Sequence, residues 1–86
     1  MKRQHWRDAE MNRWIAERLK MYRIARGLTQ EDVCFELGVN IARIESGRHS
    51  LSISTLARLC RLYGITLAEL LQGVETQHSH AEESGP

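Results

Sequence analysis

The stretch that decides the fold is residues 27–47, Gly27-Leu28-Thr29-Gln30-Glu31-Asp32-Val33-Cys34-Phe35-Glu36-Leu37-Gly38-Val39-Asn40-Ile41-Ala42-Arg43-Ile44-Glu45-Ser46-Gly47. Thr29 has the chemistry of an N-cap, because its hydroxyl can accept the amide three residues on. Asp32, at the third helical position, makes a near-capping box with Asp where Glu or Gln is usual. Val33 and Leu37 lie four apart with Cys34 beside them, which marks an inward helical face, and Gly38 ends the helix. Two residues later Asn40 can cap another helix over residues 41–46, closed by Gly47. The segment therefore predicts helix, short turn, helix.

The same signals continue on either side. Met11, Ile15, Leu19 and Tyr22 recur at spacings of four, four and three and predict a first helix, with Arg23 and Arg26 in its last turn and Gly27 as its stop. Beyond Gly47, Ser52 and Ser54 are candidate caps for a fourth helix with Leu56, Leu59, Cys60 and Tyr63 inward and Gly64 as its stop. Thr66-Leu67-Ala68-Glu69 is a full capping box for a fifth. No strand candidate and no internal repeat is present. The expected fold is all-α, a compact five-helix domain with a helix-turn-helix. Residues 1–11 are expected to be a basic extension, 12–74 the folded domain, and 75–86 a polar, disordered tail.

Composition fits one small soluble domain: 86 residues, 42% hydrophobic, 27% charged, with one Pro. No apolar run reaches the length of a membrane span, and charges occupy the N-terminus where a signal peptide needs an apolar block, so a cytoplasmic protein is expected. The net charge of +1 hides an asymmetry. Residues 1–27 carry eight positive and three negative charges, residues 28–74 four and five, and residues 75–86 none and three. A basic first third suits a nucleic-acid partner, and equally suits an ordinary solvated helix. Lys2, Arg3 and Arg7 fit a frayed terminus or a groove-binding arm, and Trp6 and Trp14 fit packing better than base stacking.

Catalytic and metal chemistry find little support. Cys34 and Cys60 sit in apolar helical patterns without a nearby ligand pair, as two buried reduced thiols would. His78 and His80 form a short pair in the polar tail. No nucleophile–base pair, phosphate loop or carboxylate pair stands out, so no enzyme, metal or cofactor is expected.

The order of elements carries a further signal. Arg23 stands four before Gly27-Leu28-Thr29-Gln30. Then come Ile41-x-x-Ile44-Glu45-x-Gly47 and the closing Gly64-Ile65-Thr66-Leu67-x-Glu69-Leu70-Leu71. This pattern resembles the phage repressor/Cro (XRE) family of helix-turn-helix proteins over residues 12–73. The resemblance implies a sequence-specific DNA-binding regulator, a repressor or a phage or restriction-modification controller, acting on double-stranded DNA. It implies that Gln30 meets a backbone phosphate and Arg23 pairs structurally with Glu45. Arg43 points to the groove or a phosphate, Arg48 to the flanking phosphate, and Asn40, Ala42 and His49 complete the DNA-binding set. The bland readings are a good helix former for Gln30 and a solvated side chain for Arg43. Leu67, Leu70, Leu71 and Val74 exceed what a short terminal helix needs, which allows either a homodimer on a palindromic operator or burial under the first helix.

One departure from the family pattern stands out. The family has about twelve positions between the two helix-ending glycines, where Gly38 to Gly47 spans nine. The missing three fall between Asn40 and Ile41, where side chains usually touch base edges. Either the turn is rebuilt or residues are omitted there. Omission is the simpler expectation and predicts a Cα gap far beyond 3.8 Å. A genuine loss favours the alternative function, a protein-interaction or antitoxin-like module on the same scaffold.

Overall fold

Helix α1 (Asp8–Ala25) is the element on which the others assemble. In the computed structural model, which describes residues 8–74, α2 (Gln30–Leu37), α3 (Ile41–Glu45), α4 (Ile53–Tyr63) and α5 (Leu67–Leu70) follow, with no strand among the described residues. α1 packs against α3, α4 and α5, α2 packs on α3, and α4 on α5. α1 begins before the expected boundary at residue 12. The basic arm, Trp6, the polar tail, His78 and His80 lie outside the described residues.

Helices α2 to α5 each start where a local side chain can satisfy a free amide. The Thr29 hydroxyl accepts from Asp32 N and the Asp32 carboxylate accepts from Thr29 N, and Thr66 and Glu69 form the same box on α5. Ser52, rather than Ser54, caps α4 by accepting from Thr55 N. Caps of this kind contribute about 1 kcal/mol each. Gly38 ends α2 at φ 68°, its N–H donating to the Cys34 carbonyl, and the Arg58 guanidinium donates to the Leu37 carbonyl at 2.6 Å.

The core is built from Leu19, Val33, Ile41, Leu56, Leu59, Cys60, Tyr63 and Leu70, drawn from all five helices. Full burial of a Leu or Ile contributes about 2 kcal/mol. Cys60 is buried and its thiol pKa raised by desolvation, whereas Cys34 is only half-buried at the core's edge, because α2 is covered on one side alone. The Tyr63 hydroxyl is buried without a hydrogen-bond partner, and burial pushes its pKa up to about 12.

At the junction where an omission was expected, Asn40 stands as the N-cap of α3. The Asn40 carbonyl accepts from Ile44 N at 3.1 Å and its side-chain oxygen from Arg43 N at 3.0 Å, so Asn40 directly caps α3. Ile41 follows straight into the core at 0% exposure. α3 itself is five residues long.

The C-terminal apolar set divides on folding. Leu70 is fully buried inside its own domain, which takes it out of any partner interface, while Leu67, Leu71 and Val74 stay half-buried. Arg18 secures this end. Its Nε donates to the Leu70 carbonyl at 2.6 Å and its Nη2 to the Glu69 carbonyl at 3.0 Å, while the guanidinium stacks 4.8 Å from the Trp14 ring centroid.

Candidate nucleic-acid interface

Five residues at about 1.5 Å rise make α3 roughly 7.5 Å long, little more than one turn. Ile41 and Ile44 anchor it from below. That leaves Asn40, Ala42, Arg43 and Ser46 exposed on its outer side, followed by Arg48 and His49 in the loop. The loop is ordered from α3 itself. Ser46 Oγ donates to the Arg43 carbonyl at 2.6 Å and accepts from Arg48 N at 3.3 Å. Gly47 makes the turn possible at φ 73°, with α1 so close that an added Cβ would lie 3.0 Å from Arg13 Cα.

The angle between α2 and α3 is held by a connected polar group beneath them. Arg23 Nε donates to Glu45 Oε2 at 2.6 Å and Nη2 to Oε1 at 3.2 Å, while Nη1 donates to the Leu28 carbonyl at 2.7 Å. Both side chains are over nine-tenths buried. The bond to Glu45 raises the guanidinium pKa above its ordinary value, against the opposing effect of burial, so the charge is retained. Gln30 joins from α2, its Nε2 donating to Glu45 Oε1 at 3.0 Å. One amide hydrogen of Gln30 is therefore engaged, and the other remains to meet an anion.

Electrostatics around the site are mixed. Glu31 and Asp32 place two carboxylates in the first turn of α2, and hydrogen bonds from the Thr29 backbone and hydroxyl hold the Asp32 carboxyl below the usual range. An anion at Gln30 thus needs cations nearby, and Arg43 and Arg48 are the expected residues that supply them. Arg13 is a further exposed cation, on α1 where that helix meets Gly47 and the loop of Arg48 and His49 begins. Sequence reasoning passed over it, since an arginine on the outer side of an amphipathic helix carries no local mark. The structure brings Gln30, Asn40, Ala42, Arg43, Arg48 and His49 to the α2 start and the α3 region. Leu67, Leu71 and Val74 lie at the far, α5 end of the chain. Among the described residues no group of three or more His, Cys, Asp or Glu could hold a metal ion, and no helix is long and apolar enough to cross a membrane.

Comparison with known proteins adds three findings. A family described as a helix-turn-helix domain matches residues 14–72. The chain is 38% identical over 64 residues to an HTH-type transcriptional regulator of Deinococcus deserti, covering 71% of this chain and 50% of that protein. It is 32% identical over 59 residues to an uncharacterized HTH-type transcriptional regulator of Methanocaldococcus jannaschii, covering 65% of this chain and 89% of that protein. The chain therefore spans about half the length of the first relative and most of the second. No solved structure matches significantly.

Proposed function

The chain belongs to the helix-turn-helix domain family, and on that premise we propose that it is a DNA-binding transcriptional regulator, a repressor of cytoplasmic DNA targets. In this reading α3 lies in the major groove. Asn40, Ala42 and Arg43 face base edges or phosphates, Gln30 and Arg48 grip the flanking phosphates, and His49 and Arg13 extend the footprint. The observation that carries the reading is the polar group joining Arg23, Glu45 and Gln30, which fixes α2 against α3 and leaves α3's outer side open. Half-buried Leu67, Leu71 and Val74 supply the two-fold contact that would set two α3 helices about one DNA turn, roughly 34 Å, apart on a palindromic operator.

Titration against a fluorescent duplex pool at two salt concentrations tests this. Affinity is expected to fall with a log–log slope of about 0.9 per phosphate contact. Gln30→Ala and Arg43→Ala are expected to bind more weakly, and Arg48→Ala to reduce the slope by about one contact. Binding that hardly changes with salt overturns the proposal.

The five-residue α3 favours a second reading, a protein-interaction or antitoxin-like module with weakened DNA reading. It predicts negligible duplex affinity for the parent chain and all three variants at low salt.

A further inference from the structure

We propose that copies of this chain associate by seating Phe35 of one copy in a groove formed by Leu37, Leu62, Arg58 and Arg61 of the next. The contact involves neither the candidate nucleic-acid interface nor α5.

The projecting half lies on the outer side of α2. Phe35 is 88% exposed, while Val33 and Leu37 of the same helix turn towards the core. Glu31 stands four residues before Phe35 on the same side of the helix, and Glu36 follows it one step round, so two exposed carboxylates without a capping role border this side of α2. Neither Glu31 nor Glu36 has an ion-pair partner among the described residues. Glu36 also sits in the last turn of α2, where the helix dipole disfavours an anion. Glu31 and Glu36 repel phosphate.

The receiving half is a shallow groove of about 390 Å³ where the end of α2 meets α4. Leu37 and Leu62 are its apolar part and Arg58 and Arg61 its cationic edge. Arg58 is already oriented by its 2.6 Å bond to the Leu37 carbonyl, and Arg61 has no ion-pair partner among the described residues. A single exposed aromatic side chain is unremarkable on a protein surface. Here an apolar projection with an acidic border meets an apolar groove with an arginine rim on the same chain, and the two match in polarity and in sign.

Phe35 and Leu37 point to opposite sides of α2, so one copy cannot fill its own groove. Since the projection and the groove are different patches of one chain, the contact closes as a two-fold pair when each Phe35 fills the other copy's groove, and otherwise repeats from copy to copy. Copies on neighbouring DNA sites would be joined side by side by it, whether or not α5 also pairs them.

Sedimentation velocity on the full chain without DNA, from low micromolar to near-millimolar concentration, tests the proposal. The weight-average mass is expected to climb with concentration above the 9.9 kDa of one copy. Phe35→Ser should weaken the association by roughly tenfold or more. Glu36→Arg and Arg61→Glu should each weaken it alone, and an equimolar mixture of those two should restore it, since opposite charges then face each other again. All three positions are exposed, and thermal melts by circular dichroism confirm that each variant is folded. A parent chain whose mass shows no rise with concentration overturns the proposal. So does a Phe35→Ser variant that associates like the parent, or a charge-swapped mixture that recovers nothing. None of these readouts depends on whether the chain binds DNA.

Discussion

Arg23 and Glu45, 22 residues apart on α1 and α3, form a two-pronged ion pair with contacts of 2.6 and 3.2 Å, buried where the α1–α2 loop and the start of α2 meet the end of α3. Because Arg23 also holds the Leu28 carbonyl and Glu45 also holds the Gln30 amide, one pair connects three helices and the loop between the first two. Ile41 and Ile44 seat α3 in the core, and this link ties its end to α1 and α2.

Breaking the pair from one side should leave a buried charge without its partner. Glu45→Ala is expected to lower unfolding free energy by about 3–5 kcal/mol in urea titration. The double variant Arg23→Met, Glu45→Leu should recover most of that loss, since apolar residues of similar volume need no partner. A single variant within 1 kcal/mol of the parent would refute the assignment.

Asn40 has two separable roles, capping α3 and facing the groove. Asn40→Ala removes the cap and should cost about 1 kcal/mol of stability as well as duplex affinity. Asn40→Asp keeps an equally good cap but adds a negative charge at the interface, so stability should hold while affinity falls. Equal losses of affinity and stability in both variants would contradict the second role.

Gly47 must accept both a left-handed backbone and the close approach of α1. Gly47→Ala is expected to destabilise the domain by about 2 kcal/mol, because a Cβ meets Arg13 Cα at 3.0 Å and φ 73° strains any L side chain. The melting temperature reports it. Gly27→Ala, strained but with open space around its Cβ, should cost less.

Tyr63 makes the fold sensitive to alkali. Its folded pKa of about 12 lies above the ordinary 10.0, so the buried neutral phenol contributes stability that is complete below pH 10 and lost as pH rises towards 12. Two pK units correspond to about 3 kcal/mol. Since its hydroxyl has no partner to lose, Tyr63→Phe should match the parent within about 1 kcal/mol at pH 7 and outlast it at pH 11. Denaturant titrations at those two pH values decide the matter. Cys60, also raised by burial, leaves a smaller alkaline loss in both proteins.

Helix starts and stops were legible because they are local. Thr29 with Asp32, Asn40, Ser52, and Thr66 with Glu69 each satisfy amides within three residues of themselves, and Gly38 and Gly64 close helices by their own backbone angles. The inward faces followed from helical spacing. The Arg23–Glu45 pair was accessible only through family resemblance, since nothing in 22 residues of separation marks two charges as neighbours.

Arg18 had no such mark at all. Besides Trp14 and Tyr22, each one turn away, its partners are backbone carbonyls 52 and 51 residues away, and carbonyls carry no residue identity that could announce them. For the same reason Leu70 was indistinguishable from Leu67 and Leu71. Three leucines within five residues are equally apolar, and only the position of α1 selects Leu70 for the core. At the Asn40–Ile41 junction, spacing alone allowed an omission or a rebuilt turn. The chain by itself determined five helices, their caps and their apolar faces, because those depend on interactions within a few residues. Which apolar residues are enclosed, which arginines meet distant groups and how α3 leaves its turn were decided by tertiary packing, because these depend on what an element from elsewhere in the chain places opposite them.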